Sequence, residues 1–196
     1  MNEPIGVSIS GGADSAILSY ILMKYNPGPI HFYTLATEQK QYRTLFGAAN
    51  VINKCVELTG NHNVFFHVEF TSEKQSRDNL LLMLRSKTMD VVKRIYLATT
   101  SIPPREELQL FKNQINDDMY SRRNPDIIKP VYSNDKLLYD PFLNINKKDI
   151  RQLYESQGVI YSLFPVTRSC EALDLHEGHC GKCWWCEERK WAFDHT

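Results

Sequence analysis

Residues 4–25 read PIGVSISGGADSAILSYILMKY, and this stretch decides the fold. Residues 4–10 carry the β-branched Ile5, Val7 and Ile9 in a short run, the pattern of a strand. Gly11-Gly12 supply a tight turn, and residues 16–25 form an apolar helix. A buried strand that passes through glycines into such a helix is the opening half of a β-α-β unit. The alternation then continues. Residues 29–35 (PIHFYTL) read as a second strand after the Asn26-Pro27-Gly28 turn. Over 41–59, Leu45, Ala48, Ala49, Ile52, Val56 and Leu58 fall close to helical spacing, and Gly60-Asn61 end that helix. Residues 63–70 read as a third strand, 76–93 as a long helix, 94–100 as a fourth strand and 127–131 as a fifth. Residues 147–157 form a helix with Ile150, Leu153 and Tyr154 on one side and Gly158 behind it. Right-handed crossovers between these strands give an α/β domain with one parallel five-stranded sheet. Between them, 102–126 reads as a charged helix followed by a mobile loop, holding Arg122 and Arg123, over the carboxyl ends of the strands.

The composition agrees with one domain and a small appendage. The chain has 196 residues, 42% of them apolar, enough to bury a substantial core. It contains no apolar run long enough to span a bilayer, and MNEPIGVSIS lacks the basic-then-apolar order of a secretory signal, so the expectation is a cytoplasmic protein without membrane contact. Charge is balanced, at 23 basic and 23 acidic residues. Proteins that grip nucleic-acid backbones usually carry a basic surplus, so small-molecule substrates are expected and nucleic acid is not expected as the direct substrate.

Ser10-Gly11-Gly12-Ala13-Asp14-Ser15 lies between strand and helix, where unpaired N–H groups and the helix dipole favour an anion. Gly11 and Gly12 let the backbone approach oxygens that a Cβ would exclude, and Ser10 and Ser15 add hydroxyl donors. Asp14 fits such a site if it holds Mg2+ bridged to phosphates, or a loop amide. The plainer reading is a tight turn with Asp14 or Ser15 as helix cap. Neither the Rossmann glycine fingerprint nor a Walker sequence is present.

Four of the five cysteines crowd the tail that starts at Ser169. Cys170, Cys180, Cys183 and Cys186 have the spacing of a tetrahedral metal knuckle, with Gly181 free to take unusual dihedrals. Zinc is the first expectation, and an iron–sulfur cluster is the other group that four cysteines hold. Lys182 and Arg189 would offset thiolate charge, and His176 and His179 could replace a cysteine. A disulfide pair or free thiols are the plainer readings. Trp184 and Trp185 are expected to cover the knuckle, and Cys55 to be a core thiol.

Strand, SGGADS and apolar helix together resemble the signature of the PP-loop ATP pyrophosphatase superfamily, usually SGGxDS. The resemblance implies a Rossmann-like domain of the adenine nucleotide alpha hydrolase type, and a loop that holds the β and γ phosphates while ATP is split to AMP and pyrophosphate. Loop and tail read together resemble one branch, 7-cyano-7-deazaguanine synthase, which has a C-terminal Cys, then Cys-Gly-x-Cys-x-x-Cys, then a basic helix. Here these are Cys170, Cys180-Gly181-Lys182-Cys183, Cys186 and EERKWAF. The family's Pro-Leu/Phe segment with a Lys before a helix is matched by Asp140-Pro141-Phe142 through Lys147, and the opening of its metal site by Ser169-Cys170. The middle departs. Leu35-Ala36-Thr37-Glu38-Gln39 stands where the family has Tyr-Gly-Gln, and no Pro-Gly-Arg-Asn precedes Ile95.

The resemblance implies a PP-loop ATP-binding domain over 1–168 and a zinc segment over 169–196. It implies ATP contacts from Ser8, Ile9, Ser10, Gly11, Gly12, Ala13, Asp14 and Ser15, catalytic roles for Asp14 and Lys147, and substrate contact from Arg168. Cys170, Cys180, Cys183 and Cys186 would hold Zn2+, with Mg2+ accompanying ATP, and a homodimer is expected. The implied reaction adenylates the carboxylate of 7-carboxy-7-deazaguanine and uses ammonia to reach the nitrile. Arg122 and Arg123 are expected to close over ATP. Other readings are another PP-loop enzyme (tRNA thiolation, sulfonucleotide reduction, or amide formation on a different acid) and a non-catalytic zinc-knuckle binding module.

Overall fold

The computed structural model describes residues 3–38, 43–71, 91–112, 117–172 and 178–193. The first strand, β1 (Ile5–Ser8), turns through Gly11-Gly12 into α1 (Ala13–Tyr25), which starts three residues before the apolar run. Then come β2 (Ile30–Thr37), α2 (Arg43–Thr59), β3 (Val64–Thr71) and β4 (Ile95–Tyr96). Two short helices, α3 (Arg105–Leu108) and α4 (Asp117–Arg123), precede β5 (Leu138–Tyr139), α5 (Lys147–Ser156) and α6 (Trp184–Phe193). The strand order is β3-β2-β1-β4-β5, and all four pairings are parallel.

Neighbouring residues of β2 divide between the sheet's faces, as the two-residue period of a strand requires. Ile30 and Phe32 join Val7 in the larger core, which also takes residues of α1, α2, α5 and α6. Tyr33 faces a smaller cluster of Val92, Ile95, Leu97 and Leu138. Tyr154, Phe32 and Ile17 are completely buried, each worth ~1.5–3 kcal/mol of apolar transfer. Cys55 is a buried core thiol pushed up to about 12 by burial, as expected. No described helix is long and apolar enough to cross a membrane.

Several sequence expectations are corrected. The fifth strand is Leu138–Tyr139, not 127–131. Ile128 is 91% exposed, and Pro130 has no N–H to give a ladder, so that stretch only leads into a turn returning through Lys136 at φ 58. The fourth strand keeps two residues of the seven expected, because Thr99 turns to Asp140, its N–H donating to Oδ1 over 2.8 Å. Residues 91–93 are not helical; the rest of the expected 76–93 helix lies outside the described residues, as do 41 and 42 of the expected second helix. Arg122 and Arg123 belong to α4 rather than to a mobile loop.

Candidate nucleotide and metal site

Gly11 takes φ 81, which only glycine adopts without strain, and a Cβ there would sit 2.6 Å from Gly47 Cα and 2.8 Å from the Ala48 nitrogen. The loop therefore lies flat on the first turns of α2. Inside it, Ser15 Oγ donates to Gly12 O over 3.1 Å and stands 3.3 Å from Ser10 Oγ. Gly12 is the N-cap of α1, and no side chain caps that helix. Asp14 and Ser15 thus do not spend themselves on the helix start, which keeps its positive end toward the cleft. Arg168 N–H donates to Gly11 O over 2.8 Å and ties the loop to the segment that leads into the cysteines.

These elements enclose a cleft of about 210 Å3. Ser10, Gly12 and Asp14 line it from the loop, and Arg43, Thr44 and Gly47 from α2. Lys147, Arg168, Ser169, Cys170, Glu171 and Trp185 complete it. Lys147 opens α5 because Asn146 and Asp149 form a reciprocal capping box there. Its side chain is 5% exposed, and Nζ lies 2.5 Å from Asp14 Oδ2 and 3.7 Å from Glu188 Oε2. Asp14 Oδ1 is buried with no hydrogen-bond partner, an acceptor left over at the wall of the cleft.

Among the residues expected from sequence, Ser10, Gly12, Asp14, Lys147, Arg168 and Cys170 meet at this cleft. Gly11 and Ser15 shape the loop from beneath. The Ile9 and Ala13 side chains are core, leaving only their backbone to the site, and Ser8 stays within β1. Arg123 does not close over the cleft: it is buried, with Nε on Thr100 O (2.7 Å) and Nη2 on Glu188 Oε1 (2.5 Å). Arg122 pairs with Asp118 one turn back. Arg43, Thr44, Gly47 and Glu171 carry no sequence expectation, and Trp185, expected to cover the knuckle, lines the cleft instead. The available signal for the α2 residues was topological, since the loop after β2 neighbours the loop after β1 at the carboxyl edge of the sheet.

The four sulfur atoms of Cys170, Cys180, Cys183 and Cys186 lie within 4.8 Å of one another, and those of Cys180 and Cys186 are 3.9 Å apart. A tetrahedral zinc with ~2.3 Å bonds needs edges of about 3.8 Å, so the donor set fits a metal ion. Amide N–H groups of Ala172 (3.4 Å) and Cys180 (3.3 Å) point at Cys170 Sγ. The Lys182 backbone N–H draws the Cys180 thiol down to about 6, whereas burial pushes Cys186 up to about 12. His179 stays outside the cluster; burial, with Arg189 and Arg168 nearby, lowers it to about 4. His176 lies outside the described residues. Arg189 donates to Thr167 Oγ1 (2.8 Å) and lies 3.7 Å over the Phe164 ring. Of the two tryptophans, Trp184 stacks on Phe111 at 4.7 Å, and Trp185 faces the cleft with the Arg123 guanidinium 5.3 Å over its ring.

Comparison with known proteins separates the two ends of the chain. The family described as Queuosine biosynthesis protein QueC matches residues 129–196, which contain Lys147, Arg168 and all four clustered cysteines. The family described as Asparagine synthase matches residues 1–68, which contain the SGGADS segment and α2. Each match covers about a third of the chain: its C-terminal part is similar to QueC and its N-terminal part to asparagine synthase. Among solved structures, NMN synthetase from Francisella tularensis aligns over 100% of this chain and 78% of its own, at 10% identity and TM-score 0.51, a likeness of fold. The U34-tRNA thiolase NcsA from Methanococcus maripaludis, solved with its 4Fe-4S cluster, aligns over 100% of this chain and 74% of its own, at 13% identity and TM-score 0.46. No curated protein sequence matches the chain.

Proposed function

We propose that the protein is an ATP-dependent carbon–nitrogen ligase that converts 7-carboxy-7-deazaguanine and ammonia into 7-cyano-7-deazaguanine. The observation that carries this reading is the convergence of the SGGADS loop, Lys147 and the segment entering the cysteine cluster on one cleft. The similarity of residues 129–196 to the QueC family supports this choice of substrate class.

A carboxylate resists ammonia because its oxygen leaves poorly. In the proposed first half-reaction the substrate carboxylate attacks the α-phosphorus of ATP, the α–β bridge breaks and pyrophosphate departs. Ammonia then displaces AMP from the mixed anhydride and gives the amide. A second ATP activates the amide oxygen, and loss of AMP with the remaining nitrogen protons leaves the nitrile. Each step gains mainly from positioning and from charge placed where it develops.

The start of α1 and Lys147 would receive the terminal phosphates, with Arg43 and Arg168 at the rim. Asp14 Oδ1, buried without a partner, suits the Mg2+ that accompanies ATP, a hard cation with oxygen ligands. The cysteine quartet would hold Zn2+ with every position taken by sulfur, a structural ion that fixes the tail rather than an open Lewis acid. An adjoining cleft of about 910 Å3, sharing Arg43, Gly47 and Arg168, leaves room for the rest of the reactants.

Mass spectrometry of the products from 7-carboxy-7-deazaguanine, ammonium, Mg2+ and ATP tests the reading. The cyano compound is expected. Accumulation of the carboxamide would limit the enzyme to one activation, and unchanged acid would overturn the substrate assignment.

A further inference from the structure

Glu188 is the most completely buried charged side chain among the described residues, at 0% exposure. It sits on α6, two residues after Cys186, where the other buried positions are Trp184, Cys186, Ala192 and Phe193. Packing alone would place an apolar residue there, since a buried ion pair adds little stability over a well-packed apolar replacement. Its two oxygens have different duties. Oε1 accepts from Arg123 Nη2 at 2.5 Å, and Arg123 is itself fixed by Thr100 Oγ1 (3.0 Å) and Ser101 O (3.2 Å). Oε2 has no hydrogen-bond partner and lies 3.7 Å from Lys147 Nζ. Lys147 is thus suspended between Asp14 in the first turn of α1 and Glu188 on the helix that begins at the cysteines.

We infer that Glu188, braced by Arg123, is a positioning residue for the phosphate site: it lets Lys147 turn from Asp14 to a nucleotide's terminal phosphates without losing its last carboxylate neighbour. The inference rests on the proposed nucleotide function and adds a residue that touches neither nucleotide nor metal. When a phosphate oxygen replaces Asp14 beside Lys147, Glu188 still balances the ammonium in the buried corner. With glutamine at that position, Lys147 has only Asp14, and leaving it is unfavourable. The grip on terminal phosphates is therefore set from α6, which the cysteine cluster anchors.

The test is calorimetric binding of MgATP and of AMP to wild type, E188Q, E188D and the paired R123M/E188M variant, with metal content and circular dichroism recorded for each. The paired variant leaves neither Arg123 nor Glu188 as an unmatched buried charge, and serves if E188Q does not fold. E188Q and R123M/E188M are expected to weaken MgATP binding at least ~10-fold, the value of a charged contact, with AMP affinity and metal content unchanged. E188D, which keeps the charge, is expected to bind MgATP within about threefold of wild type. Equal MgATP affinity in the paired variant, or parallel loss of AMP and MgATP, overturns the inference. A wild-type chain that binds no MgATP overturns instead the nucleotide reading beneath it.

Discussion

Gly11 lies against Gly47 so closely that a methyl group on the first would enter the backbone of the second, 2.6 Å from its Cα. The relation is asymmetric: a Cβ on Gly47 would meet Gly11 Cα and Ser10 O at 3.5 Å, ordinary contact. Gly11→Ala is therefore expected to push the loop off α2, lower the melting temperature and abolish MgATP binding. Gly47→Ala, inside a helix, is expected to gain ~0.5–1 kcal/mol of stability. Thermal melts of both variants check the contrast, and equal destabilisation would contradict it.

Lys147→Met removes the cation from a buried pair and leaves Asp14 uncompensated, which typically costs ~3–5 kcal/mol. Urea unfolding should show a loss of that size, together with loss of pyrophosphate release. The D14N/K147M double variant should recover much of the stability and none of the activity. Recovery of both would show the pair to be merely structural.

Four thiolates in one cluster predict zinc at about one ion per chain by elemental analysis. Cys183→Ser should lose the ion and lower the melting temperature, because α6 carries Ala192 and Phe193 into the main core. Iron with acid-labile sulfide in place of zinc would contradict the structural-zinc assignment.

His31 Nδ1 and His67 Nε2 are 2.9 Å apart across β2 and β3. Burial lowers both from 6.5, and His67 lowers His31 further. The unfolded chain therefore takes up protons before the folded one does. The associated stability is complete above about pH 6.5 and is lost as pH falls through the depressed folded values. Melting temperatures measured from about pH 8 to 5 should fall more steeply for wild type than for His67→Gln. Parallel curves would contradict this.

The features legible in the sequence are local ones. Strand, Gly-Gly turn and apolar helix stand next to each other at 5–25, and the cysteine spacing encodes its own cluster, so both could be read without tertiary knowledge. The helix that opens with Lys147 was equally local, marked by Ile150, Leu153 and Tyr154 on one side and Gly158 behind it. The edge strand was misplaced because two residues, Leu138 and Tyr139, carry no periodicity, whereas the apolar stretch at 127–131 carries a misleading one. Arg123 read as a loop cation because its partner Glu188 is 65 residues away, and nothing local marks either as buried. Arg43 was overlooked for the same reason, its role depending on how β1 and β2 pair.

Phosphorus NMR of the full reaction mixture tests the central claim most directly, because it reports which bond of ATP is cut. A loop that holds the β and γ phosphates as a departing pair predicts AMP and inorganic pyrophosphate, in equal amounts and dependent on the acid. ADP and orthophosphate as the products would contradict it.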